Sequence, residues 1–126
     1  EAKLLFETRK ILSLPALDVT MTCVRVPVPV GHSISALIET ERPLSVEAAR
    51  AALADFPGVK LVDDPGSEAF PTPEMALGSD QVFVGRVRKD QGSDRLWLWA
   101  VCDNLRKGAA TNAVQIAEEL MSRGLR

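Results

Sequence analysis

The stretch QVFVGRVRKDQGSDRLWLWAVC at residues 81–102 decides the fold, because it predicts a β-hairpin. Residues 81–89 and 95–102 are rich in β-branched and aromatic side chains, and a polar loop containing Gly92 joins them. Both faces of the second strand are apolar. They are formed by Trp97, Trp99 and Val101 on one side and by Leu96, Leu98 and Ala100 on the other. We therefore predict that this strand is central and covered on both sides, or that it meets a partner subunit.

Outside the hairpin, the hydrophobic periods predict three helices and three further strands. The helices are predicted at residues 1–13, 45–55 and 108–123, with Ser45 as the N-cap of the second and Gly124 ending the third. The strands are predicted at residues 18–28, 33–39 and 59–62, whereas residues 63–80 show no regular period. This mixture is typical of an α+β domain with a mostly antiparallel mixed sheet and helices packed on one face.

Length and composition predict one domain spanning residues 1–126, with 46% hydrophobic residues to form a core. The net charge of −2 gives no field that would attract nucleic acid or an anionic membrane, and no apolar run approaches the ~20 residues of a membrane span. Cys23 and Cys102 lie in apolar strand patterns without metal-ligand spacing. We interpret them as buried free thiols of an intracellular protein rather than a disulfide.

The segment CVRVPVPVGHS at residues 23–33 carries the residues most suited to chemistry. Arg25 on a strand face favours a carboxylate or a phosphate as its partner, although Glu39 on the next strand is an alternative. Pro27, Pro29 and Gly31 would bend the chain towards the single histidine, His32. A histidine there suits general acid–base catalysis, although a lone histidine is more often an ordinary loop or core residue. Lys3 near a helix start suits anion binding or an exposed pair with Glu7.

Four motifs in register resemble the aspartate-β-semialdehyde dehydrogenase family. RVPV at 25–28 with GHS at 31–33 resembles its substrate-domain motif, and Lys3 followed by ETRKIL at 7–12 is similar to one of its helices. GRVRKD at 85–90 is similar to a family strand, and DNLRKGAA at 103–110 with NAVQIAE at 112–118 resembles its C-terminal motif. The resemblance implies the catalytic and dimerisation domain of the glyceraldehyde-3-phosphate dehydrogenase-like group.

The resemblance also implies a role for each matching residue. Arg25 would hold the α-carboxylate of the substrate, His32 would be the acid/base partner of a cysteine thiolate, and Lys3 would contact phosphate. Asn104 would lie near the nicotinamide end of the cofactor. The family nucleophile and its glycine-rich NADP-binding segment lie in an N-terminal domain that this chain lacks. Neither of the two cysteines here matches that nucleophile.

The implied reaction interconverts L-aspartyl 4-phosphate and L-aspartate 4-semialdehyde with NADPH or NADP and phosphate, through a cysteine thioester. We expect a cytoplasmic homodimer that binds neither nucleic acid nor membrane, with no metal. The chain opens without a methionine, so we expect a piece of a longer protein that is inactive alone. The alternatives are an isolated dimerisation module and a non-catalytic amino-acid-binding domain that uses Arg25 and His32.

Overall fold

The computed structural model describes residues 1–125, which contain four α-helices, four β-strands and one π-helical turn. The helices are α1 (Ala2–Ile11), α2 (Val46–Asp55), α3 (Pro73–Ala76) and α4 (Thr111–Ser122). The strands are β1 (His32–Ile38), β2 (Val59–Leu61), β3 (Val82–Lys89) and β4 (Leu96–Cys102). A π-helical turn, Arg106–Ala110, leads into α4, so this last helix begins three residues later than the sequence predicts.

The sheet has the strand order β1-β4-β3-β2, so the apolar strand β4 is central, as its two faces predict. β4 pairs antiparallel with β1 and with β3, and β2 pairs parallel with β3. The register places His32 at the beginning of β1 opposite Cys102 at the end of β4. The predicted α+β class and the mostly antiparallel mixed sheet are confirmed.

Two small cores cover the two faces of the sheet. On one face Ala49 of α2 packs with Val87 and Leu96. Ser45 begins that helix as predicted, because its Oγ accepts a hydrogen bond from the Ala48 N–H at 3.0 Å. On the other face Ala76, Phe83 and Val101 pack together with Val62 and Trp99. Leu96 and Val101 therefore point to opposite sides of β4, which explains why no face of this strand is polar.

A β-bulge in β3 is held by one buried carboxylate. The register between β3 and β4 shifts between Gly85 and Arg88, and Arg86 has a positive φ of 55°. Asp63 lies beside the bulge with its side chain only 3% exposed. Its oxygens accept the Arg86 N–H at 2.6 Å and the Arg50 Nε–H at 2.7 Å. Gly85 is required there because a Cβ would lie 2.6 Å from Pro71 Cδ.

The hairpin loop between β3 and β4 is organised by Asp90. Its carboxylate accepts hydrogen bonds from Trp97 Nε1 at 2.9 Å, from Ser93 Oγ at 2.8 Å and from the Arg95 guanidinium at 3.0 Å. The Trp97 indole N–H, followed by the Ser93 hydroxyl, lowers the pKa of Asp90 below its usual value. The motif GRVRKD thus forms a structural unit, in which Gly85 and Asp90 shape the backbone.

The irregular segment 63–80 wraps the sheet and contains the helical turn α3. Thr72 begins that turn, because its Oγ1 accepts the Met75 N–H at 3.4 Å. Trp99 of β4 donates its indole N–H to the Pro71 carbonyl at 2.9 Å. The segment is therefore anchored to the central strand, which explains how it stays ordered without a hydrophobic period of its own.

The predicted strand at residues 18–28 is wrong, because the structure places no strand there. The alternation of β-branched residues is present, but a strand also needs a neighbour to accept its backbone hydrogen bonds. Cys23 donates its N–H to Glu1 Oε1 at 2.9 Å, and Val28 donates to Val26 O at 2.9 Å. Val24 is 74% exposed. Cys23 is also exposed rather than buried as predicted, and both cysteines are free thiols.

Candidate functional site

His32 begins β1 at the edge of the sheet, with its side chain exposed. It pairs with Cys102, and its imidazole lies against the π-helical turn, because a Cβ on Gly108 would stand 4.0 Å from His32 Nδ1. Burial raises the pKa of the Cys102 thiol, and the charge of Asp103 raises it further. The cross-strand neighbour of the histidine therefore has a thiol that ionises less readily than that of an ordinary cysteine.

Asn104 lies directly after β4 and contacts the residue that precedes the histidine. Its Oδ1 accepts a hydrogen bond from the Gly31 N–H at 2.6 Å, although the two residues are 73 apart in sequence. Gly31 has a φ of +114°, and a Cβ on it would meet Pro73 Cβ at 3.3 Å. Only glycine suits that conformation and that space. The structure thus brings together His32 and Asn104, two of the four residues singled out from the sequence.

Asp103 organises the turn that carries Asn104, and sequence reasoning gave it no role of its own. It is 3% exposed, and its two carboxylate oxygens accept the backbone N–H groups of Leu105 and Gly78, each at 2.8 Å. The Gly78 N–H is the main reason that the pKa of Asp103 lies below its usual value. The sequence does contain an indication of this role, because an aspartate directly after a buried strand commonly accepts nearby backbone N–H groups.

A second carboxylate fixes the π-helical turn from outside. Asp80 accepts two hydrogen bonds from the Arg106 guanidinium, both at 2.8 Å, and one from Thr111 Oγ1 at 3.0 Å. This forked contact lowers the pKa of Asp80 and raises the pKa of Arg106. Inside the turn Ala109 has φ −144° and ψ −114°, outside the helical region. The turn that faces His32 is therefore shaped by contacts at both of its ends.

Among residues 1–125, no side-chain hydrogen bond or ion pair joins Arg25 or Lys3 to this cluster. Within residues 1–125, Arg25 makes no ion pair and no side-chain hydrogen bond, and the alternative pairing with Glu39 is not formed. Lys3 is 83% exposed and forms the pair with Glu7 at 3.6 Å that its helical spacing predicts. The Cys23 N–H donates a hydrogen bond to the Glu1 carboxylate, so the segment that carries Arg25 contacts the start of the helix that carries Lys3.

His32 does not line either of two surface clefts found within residues 1–125. They have volumes of about 330 Å³ and about 290 Å³, and they share Phe70, Arg86 and Arg88. Among residues 1–125 no group of three or more histidine, cysteine, aspartate or glutamate side chains is placed to hold a metal ion. No helix in that range is both long and apolar enough to cross a membrane.

The fold and the site define an α+β domain that presents a histidine at the start of the edge strand β1 and an asparagine after the end of the central strand β4. Residues 1–107 match the family described as semialdehyde dehydrogenase, dimerisation domain. The chain belongs to this family, and the resemblance to aspartate-semialdehyde dehydrogenases drawn from the four motifs is confirmed.

Individual relatives agree with that assignment. The chain is 53% identical over 126 residues to the aspartate-semialdehyde dehydrogenase of Aquifex aeolicus (strain VF5), covering 99% of this chain and 37% of the relative. It is 49% identical over 122 residues to that of Bacillus subtilis (strain 168), covering 95% and 35%. Aspartate semialdehyde dehydrogenase II from Vibrio cholerae, complexed with ASA, has a similar structure. The TM-score is 0.88 at 45% identity, over 97% of this chain and 36% of that one. The chain thus spans about a third of the length of the curated relatives it matches.

Proposed function

We propose that residues 1–126 form the substrate-binding and dimerisation domain of an NADP-dependent aspartate-semialdehyde dehydrogenase. The reaction would interconvert L-aspartyl 4-phosphate and L-aspartate 4-semialdehyde, a step that supplies lysine, threonine and methionine synthesis in the cytoplasm. The observation that carries the proposal is the hydrogen bond from the Gly31 N–H to Asn104 Oδ1 at 2.6 Å. It joins two motifs that are far apart in sequence and gives them one location in the fold. The similarity to dehydrogenases along the whole chain supports it.

His32 is the proposed acid/base residue. Its imidazole is exposed at the beginning of β1, so a nucleophile from an N-terminal domain could reach it. In the proposed reaction the imidazole takes the proton of that cysteine thiol as the sulfur adds to the aldehyde carbonyl, forming a thiohemiacetal. Loss of hydride from this adduct, for which NADP would be the acceptor, gives the thioester. Attack by phosphate on the thioester then releases L-aspartyl 4-phosphate and the cysteine thiolate. Cys102 does not serve as this nucleophile, because its thiol is partly buried and its pKa is raised by burial.

Arg25 is the proposed clamp for the α-carboxylate of the substrate. A guanidinium offers two parallel N–H donors that match a carboxylate, and Arg25 has no protein partner within residues 1–125 to compete for them. Lys3 is the proposed phosphate contact. Its exposed pair with Glu7 is weak, about 0.3–0.5 kcal/mol for such a helical spacing, and a phosphate could displace it.

Asn104 is the proposed contact for the nicotinamide end of NADP. Its carboxamide oxygen is occupied by the Gly31 N–H, so its NH₂ group is the free end and suits a carbonyl acceptor such as that of a nicotinamide carboxamide. The bound cofactor would supply hydride transfer. The chain has no glycine-rich dinucleotide fingerprint, so the rest of the cofactor must be bound outside it.

The test is an Arg25→Lys variant in the complete enzyme, assayed with aspartate semialdehyde, phosphate and NADP. We expect the KM for aspartate semialdehyde to rise about 10- to 100-fold, because a point charge replaces two charge-assisted hydrogen bonds. Arg42→Lys, in the exposed turn after β1, is the matched control and should leave KM unchanged. Unaltered kinetics in Arg25→Lys would remove the carboxylate role, and turnover by the isolated 126-residue chain would contradict its expected inactivity.

We propose a homodimer as the assembly of this domain, and a dimerisation module is also the second candidate function. The observation that favours it is the apolar surface of the edge strand β1, where Ile34 is 60% exposed and Leu37 and Ile38 are also exposed. Sedimentation of the isolated chain tests it. A monomer at micromolar concentration would argue against a module that pairs by itself.

A further inference from the structure

The orientation of the Asn104 side chain follows from its partner. The Gly31 N–H can only donate, so the carboxamide atom facing it must be the oxygen Oδ1, at 2.6 Å. The NH₂ group then points away from the bond. Asn104 is therefore able to hold the Gly31 backbone and to face a ligand at the same time, through different atoms.

Asn104 stands on a rigid support. It follows β4, which is paired on both sides, and the adjacent Asp103 is buried and holds the N–H groups of Leu105 and Gly78. The Asp103 carbonyl also accepts the Gly108 N–H at 3.2 Å. The position of Asn104 is consequently set by the core of the sheet rather than by the segment 18–31 that reaches it.

The residues before Gly31 form no strand, and the ladder between β1 and β4 begins only after it, with the pair His32 and Cys102. A Cβ on Gly31 would lie 3.3 Å from Pro73 Cβ and 3.5 Å from the Cys102 carbonyl oxygen, so both groups lie close to this glycine. His32 is the next residue and the beginning of β1. A hydrogen bond at the Gly31 N–H therefore fixes the Val30–Gly31 peptide, one peptide unit before the residue whose imidazole extends towards Gly108.

We propose that Asn104 is a positioning residue for His32, acting through the Gly31 N–H to hold the imidazole against Gly108. The inference rests on the proposed acid/base role of His32 only for its effect on turnover. Two variants separate the roles of the side chain. Asn104→Ala removes the acceptor and the donor, whereas Asn104→Asp keeps an acceptor for Gly31 and removes the NH₂ donor.

The first experiment is NMR spectroscopy of the 126-residue chain, in which His32 is the only histidine and its ring signals are unambiguous. We expect a nuclear Overhauser effect between the His32 ring and the Gly108 Hα protons. It should vanish in Asn104→Ala and persist in Asn104→Asp and in the matched control Gln91→Ala. Exchange of the Gly31 amide should accelerate about 10-fold in Asn104→Ala alone, as expected for loss of one hydrogen bond.

The second experiment measures turnover in the complete enzyme. Asn104→Ala should lower kcat about 10- to 100-fold, the effect of a misplaced catalytic group, with the KM for aspartate semialdehyde nearly unchanged. A persistent ring contact in Asn104→Ala would overturn the proposal, as would a loss confined to the KM for NADP. If the wild-type enzyme fails to act on aspartate semialdehyde, the proposed function fails, and the NMR result still decides whether Asn104 positions His32.

Discussion

Replacing Asp63 with alanine should destabilise the domain more than any other single charge removal near the sheet. The carboxylate is 3% exposed and accepts three hydrogen bonds: from the Arg86 N–H at 2.6 Å, the Val87 N–H at 3.2 Å and Arg50 Nε at 2.7 Å. Its loss leaves two bulge amides and a guanidinium without an acceptor. Removing one partner of a buried pair costs about 3–5 kcal/mol. Arg50 is 29% exposed and can recover water, so we expect the lower end, about 3 kcal/mol.

Urea unfolding followed by circular dichroism measures this effect. With a slope of about 1.5 kcal/mol per molar, the midpoint should fall by about 2 M. Arg50→Met should cost less, because Asp63 keeps both backbone donors. Asp64→Ala is the matched control, since its exposed carboxylate holds only the local turn at Gly66 and Ser67. A loss below about 1 kcal/mol in Asp63→Ala would refute the reasoning, because it would mean that the bulge does not depend on this acceptor.

Three further measurements follow from single residues. Gly85→Ala should lower the free energy of unfolding by about 1–3 kcal/mol, because its methyl group would overlap the Val62 carbonyl that follows β2. The control Gly66→Ala, in the exposed loop, should change it by no more than about 0.5 kcal/mol in the same unfolding assay. Iodoacetamide followed by mass spectrometry should label exposed Cys23 at least about 10-fold faster than Cys102, whose pKa burial raises; equal rates would contradict the burial. The pKa of Asp103 lies below the ordinary 3.8, so its stabilising effect is full above about pH 5 and is lost as the pH falls through the folded value. Urea midpoints should therefore fall more steeply in acid for wild type than for Asp103→Asn, and parallel curves would refute it.

The hairpin and the helix α2 could be predicted from sequence because their signals are local. The two faces of β4 and the cap at Ser45 each depend on residues a few positions apart, and the structure confirms both. The segment 18–28 shows the limit of that approach. Its β-branched alternation is as clear as that of β3, but strand formation depends on a neighbouring chain, which no local pattern reports.

The sequence predicted which residues belong to the candidate site, but it did not predict the hydrogen bonds that connect them. His32 and Asn104 were identified by their motifs. The hydrogen bond that brings them together joins Asn104 to the backbone N–H of Gly31, and a backbone donor cannot be recognised from residue types. The pairing of Asp103 with Gly78 is hidden in the same way, since Gly78 lies in the irregular segment. Side-chain types can suggest chemistry, but backbone donors decide where those side chains stand.

The distance along the chain between β1 and β4 also favours one order of assembly for the domain. The hairpin of β3 and β4 closes through a short loop, whereas the pairs between β1 and β4 join residues that are 58 to 70 positions apart, from Ile38 with Leu96 to His32 with Cys102. Long closures lose more chain entropy and are slow. During synthesis β1 is completed well before its partner, and its apolar edge remains open until β4 leaves the ribosome. A nascent chain therefore exposes an apolar strand edge, open to aggregation, for the time needed to synthesise the residues between β1 and β4.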